Sequence, residues 1–260
     1  MIFFLVILSL VSVFFYGFGA QALIPILIAI TTTTIFDLFI EYFKSKEWIF
    51  PQSALISGLF IGGLLTQGLQ WYVYVIAGAI AILSKHLIKF QQKHIFNPAN
   101  FGVLIVSIIF GVLPTWWISS PLILVLIFGI FILWRLKRID LELSFMAAYF
   151  ILIFLINISN PVTCGMMGMR CPMQPSPLTD TYYAIINGGV IYFFAMFMLI
   201  EPKTNPRNNR IHYGILVAVM LIAAEKLIPQ HSIPVALAIG NILVPLFDRF
   251  KLEFRKKEAL

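Results

Sequence analysis

Charged residues are scarce in this sequence. Asp, Glu, Lys and Arg make up 11% of its 260 residues, whereas a soluble globular domain contains about 25%. Hydrophobic residues reach 60%, and the mean hydropathy is +0.96. These values exclude a soluble domain with one anchor and predict an all-α polytopic membrane protein.

Cysteine is also scarce, and the short motifs of soluble enzymes are missing. Two cysteines are too few for a scaffold built on disulfides. The sequence contains no G-x-x-x-x-G-K-[ST], H-E-x-x-H, C-x-x-C or G-x-S-x-G motif. Its four histidines are not spaced within apolar segments as haem ligand pairs would be. We therefore expect no soluble catalytic domain.

Ten apolar segments predict about ten transmembrane helices. Ala20-Gln21-Ala22 has the small-x-small pattern of a leader cleavage site, but no Lys or Arg precedes the first apolar segment, so we expect a first span there. The spans form one predicted membrane domain over 1–250, with halves of about 1–113 and 119–247 and a basic tail over 251–260. The segments are 2–18, 22–43, 53–66, 71–90, 98–113, 119–134, 141–158, 182–200, 211–227 and 233–247.

Basic residues fall on alternate loops between these segments. If the N-terminus is cytoplasmic, the inner loops and the tail hold all 18 Lys and Arg residues except Arg170 and Lys226. Cytoplasmic loops collect Lys and Arg. The pattern predicts an inner-membrane protein with both termini in the cytoplasm and the lipid bilayer as a partner. It also accounts for the net charge of +7 without a nucleic-acid partner.

Ten spans divide into five and five, and an odd number in each half predicts an inverted repeat. The third spans of the two halves give weak support, because 56–63 (ISGLFIGG) and 186–193 (INGGVIYF) both begin with Ile, a small polar residue and Gly. We expect these helices to approach each other and to leave room for a bound group.

Two polar segments interrupt the apolar chain, at 93–102 (KHIFNPANFG) and 200–210 (IEPKTNPRNNR). Asn97 and Pro98 are typical of a helix start, which offers free N–H groups. Each segment could be an ordinary inner loop or part of a site. We predict a pocket near the membrane midplane at the starts of spans three, five and eight. Its predicted cofactor-binding residues are Ser57, Gly58, Asn97, Pro98, Asn100, Asn187, Gly188 and Gly189.

Two further groups carry possible chemistry. Asp37 and Glu41 lie four apart on one helical face, and acids within a span often serve an ion or proton path, although Glu41 could simply be solvated. Cys164 and Cys171 lie in a predicted outer loop with four methionines. We predict a disulfide there, while a redox pair, a copper(I) site and free thiols stay open.

Several motifs together resemble a known family. They are SALISGLF (53–60), SKH (84–86), FNPA (96–99), the glycine-bearing helix that ends in EPKTNP (201–206), and PLFDR (245–249). In this order they resemble the membrane subunits of two redox complexes, RnfD of the Rnf electron-transport complex and the B subunit of sodium-translocating NADH:quinone reductase. The resemblance implies a ten-helix protein that holds flavin and passes electrons, as part of an oxidoreductase that can move ions. Its implied partners are other redox membrane subunits or extracytoplasmic flavoproteins.

One family feature is missing. Members carry FMN on a threonine in an S-G-A-T-like motif, whereas Thr115, Thr163 and Thr179 stand in other contexts. We therefore expect a flavin, FMN or riboflavin, that is bound without a covalent link. The alternative is a carrier or channel for a small solute or ion on the same inverted-repeat scaffold.

Overall fold

A computed structural model describes residues 1–90, 93–159 and 177–258. The chain is helical apart from a hairpin of two-residue antiparallel strands, β1 (Lys89–Phe90) and β2 (Lys93–His94). The helices are α1 (Ile2–Phe15), α2 (Leu23–Ser45), α3 (Gln52–Leu64), α4 (Trp71–Leu87), α5 (Pro98–Phe110), α6 (Leu122–Leu136), α7 (Ile139–Ser159), α8 (Pro177–Ile186), α9 (Gly189–Phe193), α10 (Arg210–Leu227) and α11 (Ser232–Glu258). Cys164 and Cys171 lie outside the described residues, so the disulfide stays a prediction.

Every predicted span contains a helix, so the all-helical class is confirmed. Three helical segments are long and apolar enough to cross a bilayer: Ala20–Ser45, Ile139–Ser159 and Pro229–Asp248. The other apolar helices are shorter. Large apolar side chains are exposed along the helices, for example Ile123, Ile127 and Ile130 on α6, as expected for a surface that faces lipid. The predicted tail continues α11 as far as Glu258.

The prediction of one unbroken span over 182–200 is wrong. Helix α8 ends at Ile186, and α9 starts at Gly189 and continues as a π-helix over Phe194–Leu199. The break lies at Asn187 and Gly188, which are residue types that favour turns. A Cβ at Gly188 would lie 2.7 Å from the carbonyl oxygen of Ala184. Gly188 therefore lies close against the last turn of α8.

Glycines allow close packing between successive helices. A Cβ on Gly58 of α3 would lie 2.5 Å from Ile30 Cα on α2, so the two backbones touch. On α5, Gly102 packs in the same way against the carbonyl oxygen of Ala77 on α4. Small residues at helix contacts are typical of membrane proteins, where close approach supplies the van der Waals energy of association. The two predicted third spans also meet, since the rings of Phe60 and Phe193 lie 5.8 Å apart.

The loops gather at two opposite ends. Predicted inner loops contact one another: Arg138 Nη1 donates to the Pro206 carbonyl at 3.4 Å, and Arg210 Nη1 donates to the Lys137 carbonyl at 3.2 Å. Predicted outer loops also contact one another, since the Thr115 N–H donates to the Leu64 carbonyl at 2.8 Å. The grouping is that expected from the alternation of basic residues.

Candidate functional site

The two polar segments and the end of α11 meet at the inner end of the molecule. His94 Nε2 lies 3.2 Å from Glu201 Oε1, which links 93–102 to 200–210. The Arg207 N–H donates to Asp248 Oδ1 at 2.8 Å, which links 200–210 to α11. Three segments far apart in the chain therefore build one site.

The first segment is shaped by the start of α5. Asn97 Oδ1 accepts a hydrogen bond from the Asn100 N–H at 3.1 Å, and Pro98 follows at the first helical position. This is the N-cap expected from the sequence. The Asn100 side chain donates through Nδ2 to the Pro234 carbonyl of α11 at 2.9 Å, and its Oδ1 is buried without a partner among the described residues. The cap thus places residues 93–95 beside α11.

The second segment folds as a tight turn. The Thr204 N–H donates to the Glu201 carbonyl at 3.2 Å, and Asn209 takes a left-handed backbone with φ 54° before α10 begins. Asn205 is only 1% exposed, and neither of its amide atoms has a partner among the described residues. A buried amide without partners costs about 1–3 kcal/mol, so an additional polar partner at this turn would stabilise it.

A cavity of about 250 Å³ lies between these segments, and we call it the inner cavity. Asn241 is 1% exposed on its wall; its Oδ1 accepts from Tyr213 Oη at 3.3 Å, while its Nδ2 donor is unpaired among the described residues. The lining residues are Phe90, Lys93, His94, Ile95, Lys203, Thr204, Arg207, Asn208, Asn241, Val244, Pro245 and Asp248.

Positive charge dominates the inner cavity. Among the described residues, Lys93, Lys203 and Arg207 form no ion pair, while Asp248 is the single acid on the wall. Burial lowers the pKa of Lys93, and the positive charges of Arg207 and Arg138 lower it further, against the opposite effect of Asp248. The cavity is therefore suited to a ligand with negative charge and hydrogen-bond acceptors.

A second cavity of about 350 Å³, the outer cavity, lies at the opposite end. Trp117 Nε1–H donates to the Gly62 carbonyl at 3.0 Å, which holds the indole in the wall. The lining residues are Phe18, Thr115, Trp116, Trp117, Ser119, Ser120, Leu122, Ile186, Asn187, Gly189 and Val190.

The eight predicted cofactor-binding residues lie in three places. Ser57 and Gly58 belong to α3 where it faces α2, and Ser57 Oγ donates to the Ser53 carbonyl at 3.0 Å. Asn97, Pro98 and Asn100 start α5 directly after the inner cavity wall. Asn187, Gly188 and Gly189 form the break beside the outer cavity. Neither cavity contains all three groups, and the role of these residues in cofactor binding stays a prediction.

The inner cavity includes residues that the sequence did not mark as site residues. Lys93, Lys203 and Arg207 were interpreted only as inner-loop charges, and Asn241 and Asp248 only as parts of a terminal motif. The sequence did offer an indication of the site, because the motifs at 96–99 and 201–206 lie in the two polar segments and the motif at 245–249 resembles the same family. Nothing in the spacing along the chain shows that they meet.

A buried charge network surrounds Asp37, which is 2% exposed on α2. Lys85 Nζ donates to both carboxylate oxygens at 2.8 Å and to Ser53 Oγ at 2.7 Å. His86 Nε2 lies 2.7 Å from Asp37 Oδ1. Lys85 and His86 of the S-K-H motif on α4 thus both contact Asp37, and His86 also lies beside Glu41. The sequence pattern did not connect this motif to the predicted pair.

The contacts of His86 determine its tautomer. Lys44 Nζ lies 2.9 Å from His86 Nδ1, and an ammonium group can only donate. Nδ1 is therefore the acceptor, and the ring proton sits on Nε2 and points to Asp37. Glu41 Oε1 lies 3.8 Å from the same Nδ1, and its side chain is 35% exposed. His86 thus stands between a buried and a solvated carboxylate.

Comparison with known proteins matches the first part of the chain. It is 28% identical over 120 residues to the D subunit of the ion-translocating oxidoreductase complex of Aliivibrio salmonicida, covering 45% of this chain and 34% of that protein. It is 30% identical over 104 residues to the D subunit of the proton-translocating ferredoxin:NAD(+) oxidoreductase complex of Clostridium ljungdahlii, covering 39% and 31%. The alignments thus span about a third of the length of these relatives. Residues 1–123 match the model of the NQR2, RnfD, RnfE family, which confirms the resemblance for the motifs at 53–60, 84–86 and 96–99.

Proposed function

We propose that this protein is a membrane electron-transfer subunit that binds a flavin non-covalently in the inner cavity. The main support for the proposal is that three segments with family-like motifs meet around this cavity. The contacts His94–Glu201 and Arg207–Asp248 join them. The buried Nδ2 of Asn241 on the cavity wall has no partner among the described residues. Its curated relatives are named as subunits of ion-translocating oxidoreductase complexes.

The residues of the inner cavity fit a flavin. Phe90, Ile95 and Val244 offer apolar contacts for a ring system, and the free Nδ2 of Asn241 can donate to a ring carbonyl. A bound flavin supplies the capacity to accept and pass on electrons. Lys93 and Arg207 would stabilise the negative charge that a flavin gains on reduction.

The inner cavity is small for a ligand pocket, so a flavin would have to extend beyond it. Its 250 Å³ is slightly below the range of about 300–1,000 Å³ that is usual for small-molecule pockets. Lys203 and Arg207 are exposed at its rim, so a ligand can extend past them to the surface.

We also propose ten membrane spans in two inverted halves, with the termini in the cytoplasm. Matching contacts support the repeat. Gly78 of α4 packs on Thr32 of α2, and Gly214 of α10 packs on Ser144 of α7. Helices α5 and α11 then pack on α4 and α10 in turn. Reporter fusions after Lys46, Arg138 and Arg207 should read cytoplasmic, and one at 164–175 should read external.

The network at Asp37 favours a second activity, the movement of a proton or cation. Protonation of His86 at Nδ1 requires Lys44 to leave, and Glu41 Oε1 is the nearby acceptor for the new N–H. A path would then run from the solvated Glu41 to the buried Asp37. If the chain is instead a carrier or channel, liposomes that hold the protein should leak protons or cations without a redox partner, and Asp37→Asn should stop the leak.

The absorbance spectrum of the purified protein tests the flavin proposal. We expect bands in the flavin region that are lost from the protein after denaturation and filtration, because the link is not covalent. Asn241→Leu should remove most of the bound flavin, whereas Asn187→Leu, in the outer cavity, should keep it. If Asn187→Leu loses the flavin and Asn241→Leu keeps it, the flavin binds in the outer cavity instead. Colourless wild-type protein that takes up no added flavin would refute the proposal.

Partners follow from the same proposal. Because the relatives are named as complex subunits, we expect other redox membrane subunits or extracytoplasmic flavoproteins to bind this chain. Purification in mild detergent with mass spectrometry of the co-purifying proteins would identify them. Proteins without redox cofactors among the specific partners would favour the carrier or channel.

A further inference from the structure

The charge network between α2 and α4 contains the ligand types of a metal site. Asp37, Glu41 and His86 each offer one ligand atom, and these atoms all lie within 4.8 Å of one another. Asp37 and His86 are buried, whereas the Glu41 side chain is 35% exposed. Imidazole and carboxylate groups together are typical ligands of Zn²⁺. The cluster is therefore buried on one side and open to solvent on the other.

We infer that His86 Nδ1 and Glu41 bind a divalent transition metal, with Zn²⁺ as the expected ion, and that Asp37 orients the imidazole. Zn²⁺ usually takes four ligands, so water fills the positions that the protein leaves open. The metal would link α2 to α4 at their inner ends. The inference does not depend on the proposed function, because it requires only these side chains.

The hydrogen bonds of His86 leave one ring nitrogen available to a metal. The proton sits on Nε2, which lies 2.7 Å from Asp37 Oδ1, so Nδ1 presents its lone pair. A histidine that binds a metal almost always donates its other ring N–H to a carboxylate, a carbonyl or water, which fixes the tautomer. Lys85 Nζ holds both oxygens of Asp37 at 2.8 Å. Asp37 is thus a positioning residue rather than a ligand.

The distance between the two ligand atoms fits one metal ion. Bonds of about 2.0–2.2 Å at a tetrahedral angle place two ligand atoms about 3.4 Å apart. His86 Nδ1 and Glu41 Oε1 are 3.8 Å apart. The Glu41 carboxylate forms no hydrogen bond among the described residues and is partly exposed, so it can move closer at little energetic cost.

A cation already lies at the position of the proposed metal. Lys44 Nζ donates to His86 Nδ1 at 2.9 Å and has no second hydrogen bond or ion pair among the described residues. Lys44 is exposed, so its side chain can turn into solvent. The metal and the Lys44 ammonium compete for the same lone pair, and each excludes the other.

Metal binding is measured on the purified chain without an affinity tag. Cys164→Ser with Cys171→Ser serves as the background, so that neither a tag nor a thiol holds the ion. The protein in detergent is dialysed against Zn²⁺ in the presence of excess Mg²⁺, and the bound metal is quantified by mass spectrometry. We expect one Zn²⁺ per chain and no Mg²⁺ at this site, because Mg²⁺ prefers oxygen ligands.

Glu41→Gln should weaken the binding of Zn²⁺ at least about tenfold, since even the loss of a residue that only orients a ligand weakens metal binding about 10–100-fold. The matched control is Glu47→Gln, which removes an exposed acid of the adjoining loop. The control should keep the affinity of the background protein. A background protein without bound Zn²⁺, or equal affinities in the two variants, would overturn the inference.

Lys44→Gln should change the affinity in the opposite direction. Binding should tighten by roughly threefold or more, because the variant removes both a competitor for Nδ1 and a nearby positive charge. Lys46→Gln removes the same charge from an exposed residue that has no hydrogen bond to His86 among the described residues, and should have a smaller effect. Tighter binding also shows that the Lys44 variant is folded. Equal affinities in the Lys44 and Lys46 variants would refute the competition and the assignment of Nδ1 as the ligand.

Discussion

His94 Nε2 lies 3.2 Å from Glu201 Oε1, although the two residues are 107 positions apart. The contact joins the first polar segment to the second. His94 is 7% exposed and the Glu201 side chain 25%, so the bond is shielded from water on one side. Thr204 Oγ1 also lies 3.4 Å from Glu201 Oε2, which fixes the carboxylate from within its own turn.

Glu201→Ala should destabilise the protein by roughly 1–2 kcal/mol, because it removes the part-buried hydrogen bond to His94. Glu47→Ala removes an exposed acid of the neighbouring inner loop and should have almost no effect. Thermal unfolding in detergent measures both. Equal changes in melting temperature in the two variants would show that the His94–Glu201 contact contributes nothing beyond the loss of one negative charge.

Asn97→Ala should cost about 1 kcal/mol, because Asn97 Oδ1 caps α5 through the Asn100 N–H. Asn97→Asp keeps the acceptor and should restore the stability. Asn97→Leu further tests the predicted cofactor role through the flavin content of the purified protein. If Asn97→Leu and Asn97→Ala retain the same flavin as the wild type, Asn97 serves only as a helix cap.

Removal of one partner from the Asp37–Lys85 pair should cost about 3 kcal/mol, because the remaining buried charge loses its ion-pair partner. The two side chains are 3% and 13% exposed. Asp37→Asn with Lys85→Gln should therefore cost less than the sum of the two single changes, in a double-mutant cycle of thermal unfolding.

The exposed pair Asp140–Arg210, at 3.7 Å, is the natural control for this cycle. Its single variants Asp140→Asn and Arg210→Gln should each cost less than about 1 kcal/mol, since solvent screens the charges. An additive cycle at Asp37 and Lys85 would show that the network is weaker than its geometry implies.

Gly58→Ala should destabilise the packing of α3 on α2 by about 1–3 kcal/mol, since the new methyl group meets the backbone of Ile30 at 2.5 Å. Gly78→Ala meets only side-chain atoms of Thr32 and Thr33, the nearest at 3.1 Å, and should be milder. Thermal unfolding and flavin content are measured together. Loss of flavin from Gly58→Ala without loss of stability would support a binding role for Gly58.

The helical elements could be predicted from the sequence because membrane helices need long apolar runs and polar interruptions. Asn97 with Pro98 predicted the start of α5 correctly, since a cap is a local feature. The break at Asn187 was not predicted, because the apolar run continues on both sides of Asn187 and Gly188.

The candidate site was harder to predict, because it depends on contacts between segments far apart in the chain. Asp37 and Glu41 share a helical face and could be paired from the four-residue spacing. Lys85 and His86, which complete the network, come from another helix. The residue pattern of one helix does not show which neighbouring helix will pack against it.

The inner cavity is built from two parts of the chain, and only the first lies within the residues that match the family model. Phe90, Lys93, His94 and Ile95 lie within residues 1–123, which match the family, whereas Lys203, Arg207, Asn241 and Asp248 lie beyond the match. If the proposed flavin binds in the inner cavity, substitutions in the later part alone should change the preferred ligand while residues 1–123 stay the same. A chimera that joins residues 1–123 to the remainder of a relative should take its ligand preference from that relative.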